Sequence, residues 1–332
     1  MRRDVCTTGG HLQARCTKLG RKMNIRLPVI SLQLSENHPD MPVSPRDTLQ
    51  RFLFQNAPIR GELVHLDATW QTVQANHDYP VVLRQAMGEL MAAAALLAAT
   101  LKLNGALVLQ IQGKGPVSLL VVECTGQLTM RATAKWTGEL PDAGLAELIG
   151  NGRFVITLDP KDGKQTYQGI VPLEGASIAE ILQNYMTRSE QLDTRLILAA
   201  DDQQAGGLLL QKLPEQAGQD GDAWDRAGHL AATLKPEELL QLPAEEILHR
   251  LYHEEDLRLF EAQPVRFHCN CSHEGVAGML RMLGREEVES ILAEQGNIEI
   301  HCDFCNRLYA FDPVDAVQLF SEDAIKGTDT RH

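Results

Sequence analysis

Four of the seven cysteines in this 332-residue chain lie in two tight pairs, one at Cys269 and Cys271 and the other at Cys302 and Cys305. Two short loops that each supply two thiols match the tetrahedral all-sulfur shell that zinc prefers. A thiolate that can bind zinc can also be oxidised. The spacing therefore predicts a metal site, a redox switch, or both, built from these four residues.

The pairs belong to a segment, residues 267–320, that is below the size at which a hydrophobic core alone usually holds a fold. Its pattern predicts two short helices, the second ended by Gly296, and then a hairpin whose turn carries Cys302 and Cys305, as in a zinc knuckle. Asp312 is placed to cap a last helix. The first four elements cover residues 276–283, 286–294, 297–301 and 307–311. Zinc held by the four cysteines would supply about 10–16 kcal/mol of folding free energy.

Three histidines, His268, His273 and His301, flank the cysteines and could in principle replace one of them as a ligand. Four thiols already complete a structural zinc shell, which rarely exceeds four ligands. We therefore expect the histidines to lie outside the shell, where their charge helps to keep the thiols ionised.

The chain is acidic, with a formal net charge of −13. This charge argues against a surface built to neutralise the phosphates of nucleic acid. The four paired cysteines are bunched instead of being spread as a disulfide framework, which suits a reducing cytoplasm. Cys6, Cys16 and Cys124 have no partners at ligand spacing and are expected to be bystanders, Cys124 as a small buried residue at a strand end.

Residues 45–215 are predicted to form one α+β domain around a long apolar run, residues 80–103. Arg84, Glu89 and Lys102 interrupt this run. A membrane-spanning helix needs about 20 consecutive apolar residues with few or no charges. The run therefore predicts a buried core helix and no membrane span.

Pro80 is placed to begin this helix, and Asn104-Gly105 to end it through a left-handed residue. Ser177 is predicted to cap a second helix. Gly206-Gly207 is interpreted as a turn, and no catalytic constellation or ATP site is predicted in this domain. Strands are predicted at residues 106–112, 117–123, 128–134, 154–158, 165–171, 194–199 and 207–213.

Residues 216–266 are predicted to be a helical linker. The stretch from Ala223 to Phe260 is acidic and amphipathic, and two prolines are placed to start new helices. Its apolar stripes are too extensive for a simple tether, because they include Leu239, Leu240, Leu242, Ile247, Leu248, Leu251, Leu257, Leu259 and Phe260. The helices need a surface to lie against, and the plain interpretation is that they complete a core.

The first 44 residues are rich in arginine and lysine, but their one apolar patch is too short and broken for a signal peptide. We expect these residues to be a disordered extension or to precede the true start of the protein. Residues 321–332 are expected to be a disordered tail.

Six segments together resemble the redox-regulated heat-shock chaperonin family, the bacterial holdases that oxidation activates. They are RGELV at 60–64, GNG at 150–152, MTRSEQL at 186–192, LYHEE at 251–255, CNCS at 269–272 and HCDFC at 301–305. The resemblance covers roughly residues 47–320. It implies an α+β protein in three parts, with an N-terminal α+β domain that has a buried central helix, a metastable helical linker, and a small C-terminal zinc-binding domain.

The resemblance also implies how such a protein works. One Zn²⁺ per chain, held by the four cysteines, keeps the reduced protein a poor chaperone. Oxidation forms the disulfides Cys269–Cys271 and Cys302–Cys305, releases the zinc and unfolds the linker, and the protein then holds unfolding clients without ATP. The implied partners are unfolded client proteins, a second copy of the chain on oxidative activation, and ATP-dependent foldase chaperones, with no catalytic residue.

Two other functions compete with this one. A thiol-disulfide oxidoreductase could use Cys302 and Cys305, but thioredoxin-like chemistry places its Cys-x-x-Cys beside a βαβ unit, and here a predicted strand follows directly. A zinc-ribbon nucleic-acid-binding protein would share the metal site, but no basic stripe interleaved with aromatic residues lies near the cysteines.

Overall fold

The computed structural model of the protein describes residues 12–14, 46–101, 104–161, 165–214 and 220–326. These residues form two compact units, one within Pro39–His268 and the other within Cys269–His332 together with Leu12–Ala14. Helices and strands occur in both units, which confirms the α+β class. The boundaries of the extension, the linker and the terminal domain stay predictions, and of residues 1–44 only Leu12–Ala14 are among the described residues.

The order of elements follows the predicted one closely in the middle of the chain. The strands are β1 (Leu12–Ala14), β2 (Thr48–Phe54), β3 (Ile59–Leu66), β4 (Gly105–Gln112), β5 (Val117–Thr125), β6 (Thr129–Trp136), β7 (Arg153–Pro160), β8 (Tyr167–Val171), β9 (Thr194–Ala200), β10 (Ala205–Lys212), β11 (Leu257–Leu259), β12 (Gln263–Pro264), β13 (Arg266–Phe267), β14 (Ile298–Cys302) and β15 (Leu308–Phe311). The helices are α1 (Ala68–Ala75), α2 (Val81–Thr100), α3 (Leu145–Ile149), α4 (Ile178–Arg188), α5 (Ala223–Ala231), α6 (Pro236–Gln241), α7 (Ala244–Tyr252), α8 (His273–Leu283), α9 (Arg285–Gln295) and α10 (Pro313–Lys326). The predicted strands from β4 to β10 are confirmed, whereas the sequence pattern does not predict β2, β3 or α1.

The strands form three sheets in the described part of the chain. The first sheet is antiparallel, with the order β11-β2-β3-β10-β9, and β12 also pairs with β2. The second sheet has the order β13-β6-β5-β4-β7-β8, in which β13 is parallel to β6. Both belong to the larger unit, whereas β1, β14 and β15 form a small sheet in the other. Short hairpins connect β4, β5 and β6, and for this reason their turn signals are readable in the sequence.

Helix α2 lies between the first and second sheets and packs on strands of both. All side chains at positions 90–98 are buried, and most of them are alanine. The sheet approaches so closely that a Cβ added at Gly207 of β10 would lie 2.7 Å from Cδ1 of Leu96. Gly206-Gly207 is therefore part of a strand, and α2 packs so closely on it that a side chain at Gly207 would require Leu96 to shift. The prediction of Gly206-Gly207 as a turn is wrong.

Among the described helices, α2 alone is long and apolar enough to cross a membrane, and 67% of its apolar window is buried inside the protein. Its burial between two sheets confirms that it is a core helix. Pro80 directly precedes its first residue. The left-handed stop predicted at Asn104-Gly105 is wrong, because the helix ends at Thr100, Leu101 is extended, and Gly105 already belongs to β4.

Helices α5, α6 and α7 cover the face of the first sheet opposite α2. Side chains alternate between faces along a strand. Accordingly, Val64 and Leu209 belong to the core around α2, whereas their neighbours Leu63 and Leu210 contact the helices. We call the apolar contact the linker–sheet cluster. It comprises Phe52, Phe54, Ile59, Leu63, Leu208 and Leu210 of the sheet with Ala227, Leu239, Leu240, Ile247, Leu248, Leu251 and Tyr252 of the helices.

Helices α6 and α7 begin at or directly after a proline, as predicted. The helical prediction up to Phe260 is wrong beyond Tyr252, because Leu257–Leu259 form β11. The backbone of β11 completes the outer edge of β2, a partner that is distant in sequence. Leu259 and Phe260 are consequently 43% and 38% exposed and do not join the apolar stripe.

In the smaller unit, α8 and α9 are followed by the hairpin β14–β15 and by α10. Gly296 ends α9 with a φ of 82°, and the Oδ1 of Asp312 accepts a hydrogen bond from the N–H of Val314 (2.8 Å) at the start of α10. Both predicted signals are thus confirmed. Helix α10 continues to Lys326, so residues 321–326 are helical where a disordered tail is predicted, and residues 327–332 lie outside the described residues.

Candidate metal centre

The structure brings the four predicted cysteines together, and all four Sγ atoms lie within 4.8 Å of one another. The Sγ of Cys269 is 3.7 Å from that of Cys302, and the Sγ of Cys271 is 3.3 Å from that of Cys305. A regular tetrahedron with zinc–sulfur bonds of about 2.3 Å has sulfur–sulfur edges of about 3.8 Å. The four free thiols are therefore spaced so that they could hold a metal ion.

The turn between β14 and β15 places one pair. The N–H of Cys302 donates to the carbonyl of Arg307 (2.9 Å), and the N–H of Asn306 donates to the carbonyl of Cys302 (2.9 Å). Asn306 adopts a left-handed backbone with a φ of 54°, a conformation that asparagine tolerates better than most residues. This tight turn presents Cys302 and Cys305 on the same side of the hairpin end.

The other pair lies directly before α8. Ser272 caps this helix, because its Oγ accepts a hydrogen bond from the N–H of Gly275 (3.0 Å). Cys271 is the residue before the cap, where the positive end of the helix dipole favours a thiolate. Because the loop leads into the N-terminus of α8, it suits a negatively charged sulfur at Cys271.

The two pairs are buried to different extents in the same pattern. Cys269 and Cys302 are buried, at 1% and 4% exposed, whereas Cys271 and Cys305 are only half-buried. Each loop thus has one sulfur that is sheltered and one that solvent and small oxidants can approach.

Tyr309 adds a contact that the cysteine spacing does not predict. Its Oη donates a hydrogen bond to the Sγ of Cys271 at 3.1 Å, and its side chain is buried. Exposed and buried residues alternate along β15, with Tyr309 and Phe311 facing inward. The sequence signal that could have predicted this contact is a tyrosine at a buried position of the strand that follows the cysteine turn.

The electrostatics of the cluster favour one thiolate among the four sulfurs. Hydrogen bonds from Cys269, Cys302, Cys305 and Tyr309 hold the pKa of the Cys271 thiol below its usual range. Hydrogen bonding with Cys269 and Cys271 raises the pKa of Cys302, and the same partners raise that of Cys305. One thiolate can thus be shared, but further thiolates at these distances repel one another. Four ionised sulfurs require a positive ion among them.

The three flanking histidines do not belong to the group of four sulfurs that could hold a metal ion. His273 stacks on Phe311 with ring centroids 4.4 Å apart, and the Nδ1 of His301 is 3.2 Å from the carbonyl oxygen of Asn306. The backbone N–H of His268 donates to Met130 in the larger unit. Among the described residues, the one group of side chains that could hold a metal ion consists of the four cysteines.

The remaining cysteines do not contribute to the centre in the described part of the chain. Cys124 is fully buried in the larger unit, and burial raises its pKa to about 12. It is the small buried residue that its position predicts. Cys6 and Cys16 lie outside the described residues.

Comparisons with known proteins agree on one family. The model of a family described as Hsp33 protein matches residues 47–312. The 33 kDa chaperonin of Methylobacillus flagellatus is 61% identical over 289 residues, which cover 86% of this chain and 99% of that protein. The 33 kDa chaperonin of Chromobacterium violaceum is 54% identical over 295 residues, which cover 88% of this chain and 100% of that protein.

A solved structure shares the fold. The crystal structure of a 33 kDa chaperonin from Thermotoga maritima matches with a TM-score of 0.75 and 22% identity, covering 84% of this chain and 99% of that one. At this identity the structure supports the fold alone, whereas the family model spans most of the chain and both relatives match over nearly their whole length. The chain therefore belongs to the Hsp33 family of chaperones.

Proposed function

We propose that the protein is a redox-regulated, ATP-independent holdase. It binds unfolding proteins under oxidative stress and is inactive while it is reduced and zinc-bound. The observation that carries the proposal is the cluster of four reduced cysteines with tetrahedral spacing, in a chain that belongs to a chaperone family.

Cys269, Cys271, Cys302 and Cys305 would hold one Zn²⁺ per chain. Soft thiolate ligands in a closed set of four are typical of structural zinc sites. The bound ion supplies the positive charge that lets all four thiols ionise, and it joins the loop before α8 to the β14–β15 turn. The small unit gains on the order of 10–16 kcal/mol of folding free energy in this way.

Oxidation and metal binding compete for the same sulfur atoms. Each disulfide, Cys269–Cys271 or Cys302–Cys305, forms with loss of two electrons and leaves no thiolate to act as a ligand. The electrons reduce an oxidant such as hydrogen peroxide to water. The short sulfur contacts of the reduced protein run between the two loops, so disulfides within each loop require the cluster to rearrange.

The linker–sheet cluster is the apolar surface that activation would uncover. Residues 220–266 lead directly into the cysteine loop, and their helices bury Phe52, Phe54 and Leu63 of the first sheet. Polar contacts accompany this packing, among them one between the Nε2 of His65 and the carbonyl oxygen of Leu239 (2.8 Å). Release of the helices would expose a contiguous apolar patch of the kind that captures other unfolded chains.

The clients would be proteins that the same oxidant unfolds. From the resemblance we also propose that the activated protein forms a homodimer, passes clients to ATP-dependent foldase chaperones, and works in the cytoplasm. It would act by binding and not as an enzyme.

The test compares reduced, zinc-loaded protein with peroxide-treated protein as suppressors of the aggregation of chemically unfolded citrate synthase. We expect suppression only after oxidation, together with the release of about one zinc ion per chain. Equal suppression by the reduced protein would contradict the proposal. Catalysed reduction of insulin disulfides would favour the oxidoreductase instead.

A further inference from the structure

Two short segments of the chain cover the outer edge of β2. Strand β11 pairs antiparallel with the second half of β2, so that Leu257 is opposite Phe54 and Leu259 is opposite Phe52. Strand β12 pairs with the first half, with Gln263 opposite Leu49. Without residues 257–264, β2 would be an open edge of the first sheet.

The cover is held through the backbone. The N–H of Phe260 donates to the carbonyl of Arg51 (3.0 Å), and the N–H of Gln55 donates to the carbonyl of Asp256 (2.8 Å). Backbone groups alternate in direction along a strand, so the N–H of Leu53 faces the same edge as that of Gln55. The edge of β2 is therefore a row of donors and acceptors that an extended chain can satisfy.

Leu257 packs against the linker–sheet cluster, but the other side chains of the covering segments contribute little to the pairing. Leu259 and Phe260 are exposed, and so are Gln263 and Pro264 of β12. Contacts made by the backbone do not depend on the sequence of the added strand. The edge can thus accept many different extended segments.

The covering segments belong to the linker that the proposed function unfolds, residues 216–266. Their release would uncover the edge of β2 at the same time as the linker–sheet cluster. Phe52 and Phe54 of β2 are members of this cluster. One strand would then offer unpaired backbone groups along its edge and apolar side chains on its face.

We propose, on the basis of that function, that the outer edge of β2 is a client-binding surface of the oxidised protein. It receives an extended segment of an unfolding protein as an added antiparallel strand in place of residues 257–264. An unfolding chain has the unpaired N–H and C=O groups that such an edge binds, and exposed edges are general templates for pairing with other chains. The native β11 shows the geometry that the client strand would adopt.

A pair of proline variants tests this surface. Arg258→Pro and Leu53→Pro each remove one backbone donor between β11 and β2, so both weaken the cover. Only Leu53→Pro alters the edge that receives the client. After oxidation we expect Arg258→Pro to bind unfolded citrate synthase at least as tightly as the unaltered protein, and Leu53→Pro to bind up to about tenfold more weakly, the effect of one lost hydrogen bond.

Equal affinities of the two variants would overturn the proposal, because binding by apolar contact alone affects both alike. Zinc release is measured in parallel. If the unaltered protein gains no binding on oxidation, the proposed function fails, which is a different result from equal binding by two activated variants.

Hydrogen exchange of the unaltered protein decides the matter if Leu53→Pro does not fold. We expect the amides of Arg51, Leu53 and Gln55 to exchange fast in the oxidised protein and at least about tenfold more slowly with reduced, carboxymethylated α-lactalbumin bound. The amides of β8, at the outer edge of the second sheet, are the control and should not change. Edge amides that stay fast with client bound, or are already slow without client, would overturn the proposal.

Discussion

At the scale of single residues, Tyr309 joins the cysteine cluster to the core of the small unit. Its ring is buried and its hydroxyl donates to the Sγ of Cys271. Groups that hydrogen-bond to metal ligands fix the orientation of those ligands and tune their reactivity. Loss of this hydroxyl should therefore affect both metal affinity and oxidation.

Tyr309→Phe removes the hydroxyl and keeps the ring. We expect about tenfold weaker zinc binding, the lower limit of the usual effect of such partners, and faster oxidation of the cysteines because less bound zinc protects their sulfurs. Competition with a chromogenic chelator measures the affinity, and thiol titration measures the rate. An affinity equal to that of the unaltered protein would show that the 3.1 Å contact does not support the metal centre.

Cys302→Ser removes one of the two buried sulfurs of the cluster. Because four thiolates are needed to complete the shell, we expect the purified reduced variant to retain little zinc, measured by elemental analysis. Cys124→Ala is the matched control, since Cys124 is equally buried but lies in the larger unit. A full zinc content in Cys302→Ser, or a loss in Cys124→Ala, would contradict the assignment.

Glu62 of β3 gives a prediction about pH. Burial raises the pKa of its carboxyl from 4.5 to about 7, although Arg51 and Arg60 lie near it. Between these values the folded protein keeps a proton that the unfolded chain has lost, so stability falls as pH rises through this window. The loss is on the order of 3 kcal/mol, at about 1.36 kcal/mol per pKa unit.

Glu62→Gln should remove this loss. Urea unfolding of the reduced protein at about pH 5 and pH 8 measures it as the difference between the variant and the unaltered protein. His65 has a lowered pKa because it is buried, and it contributes the opposite trend near pH 6.5 to both proteins, so it cancels in the difference. Parallel stability curves would contradict a raised pKa of Glu62.

The clustering of the four cysteines was predictable because two local loops carry them, and each loop is a short sequence motif. Tyr309, Glu62 and His65 were not, because their roles depend on neighbours that are far away in sequence. His65, for example, meets the carbonyl of Leu239 across the linker–sheet interface. A side chain of this kind shows no spacing that a single sequence can reveal.

At the scale of elements, the linker helices depend on packing more than on their own stability. Isolated helices shorter than about 12–15 residues are marginal in water, and α5, α6 and α7 are shorter than this. Their apolar side chains lie in the linker–sheet cluster. Weakening the cluster should release the helices without any oxidation.

Leu248→Ala deletes a buried side chain of α7 that packs in this cluster. We expect a cost of about 2–5 kcal/mol to the docking of the helices and partial chaperone activity in the reduced, zinc-loaded protein. Glu245→Ala, an exposed change in the first turn of the same helix, is the control. Activity that still requires oxidation in Leu248→Ala would show that the cluster does not hold the protein inactive.

The sequence pattern predicts elements whose partners are close in the chain and fails where partners are distant. The hairpins β4–β5, β5–β6 and β7–β8 carry their own turn signals. Strand β3 carries Glu62 and His65 among its buried residues, which hides the apolar pattern of a central strand. The apolar spacing of the sequence stays helical through β11 and contains no turn signal. Its extended conformation comes with its pairing to β2, which is distant in sequence.

At the scale of the whole molecule, the two compact units should respond differently to loss of metal. The larger unit has an extensive apolar core around α2, whereas the smaller one has far fewer buried apolar side chains and contains the cysteine cluster. A chelator added under reducing conditions should therefore unfold residues 269–326 while β3, β4 and α2 stay protected. Hydrogen exchange resolved along the chain measures this difference. Equal protection of both units after metal removal would contradict a structural role for zinc.

Helix α2 also bears on what happens once stress has passed. It is buried between two sheets, and its alanine-rich surface contacts none of the linker helices in the core described above. If oxidation unfolds only the linker and the smaller unit, the folded core around α2 remains as a surface on which they can refold. When reductant and metal return, these segments need only to dock again, and the whole chain need not fold anew. Return to the reduced, inactive state after oxidative stress should therefore be fast, and the same molecule should be able to activate again.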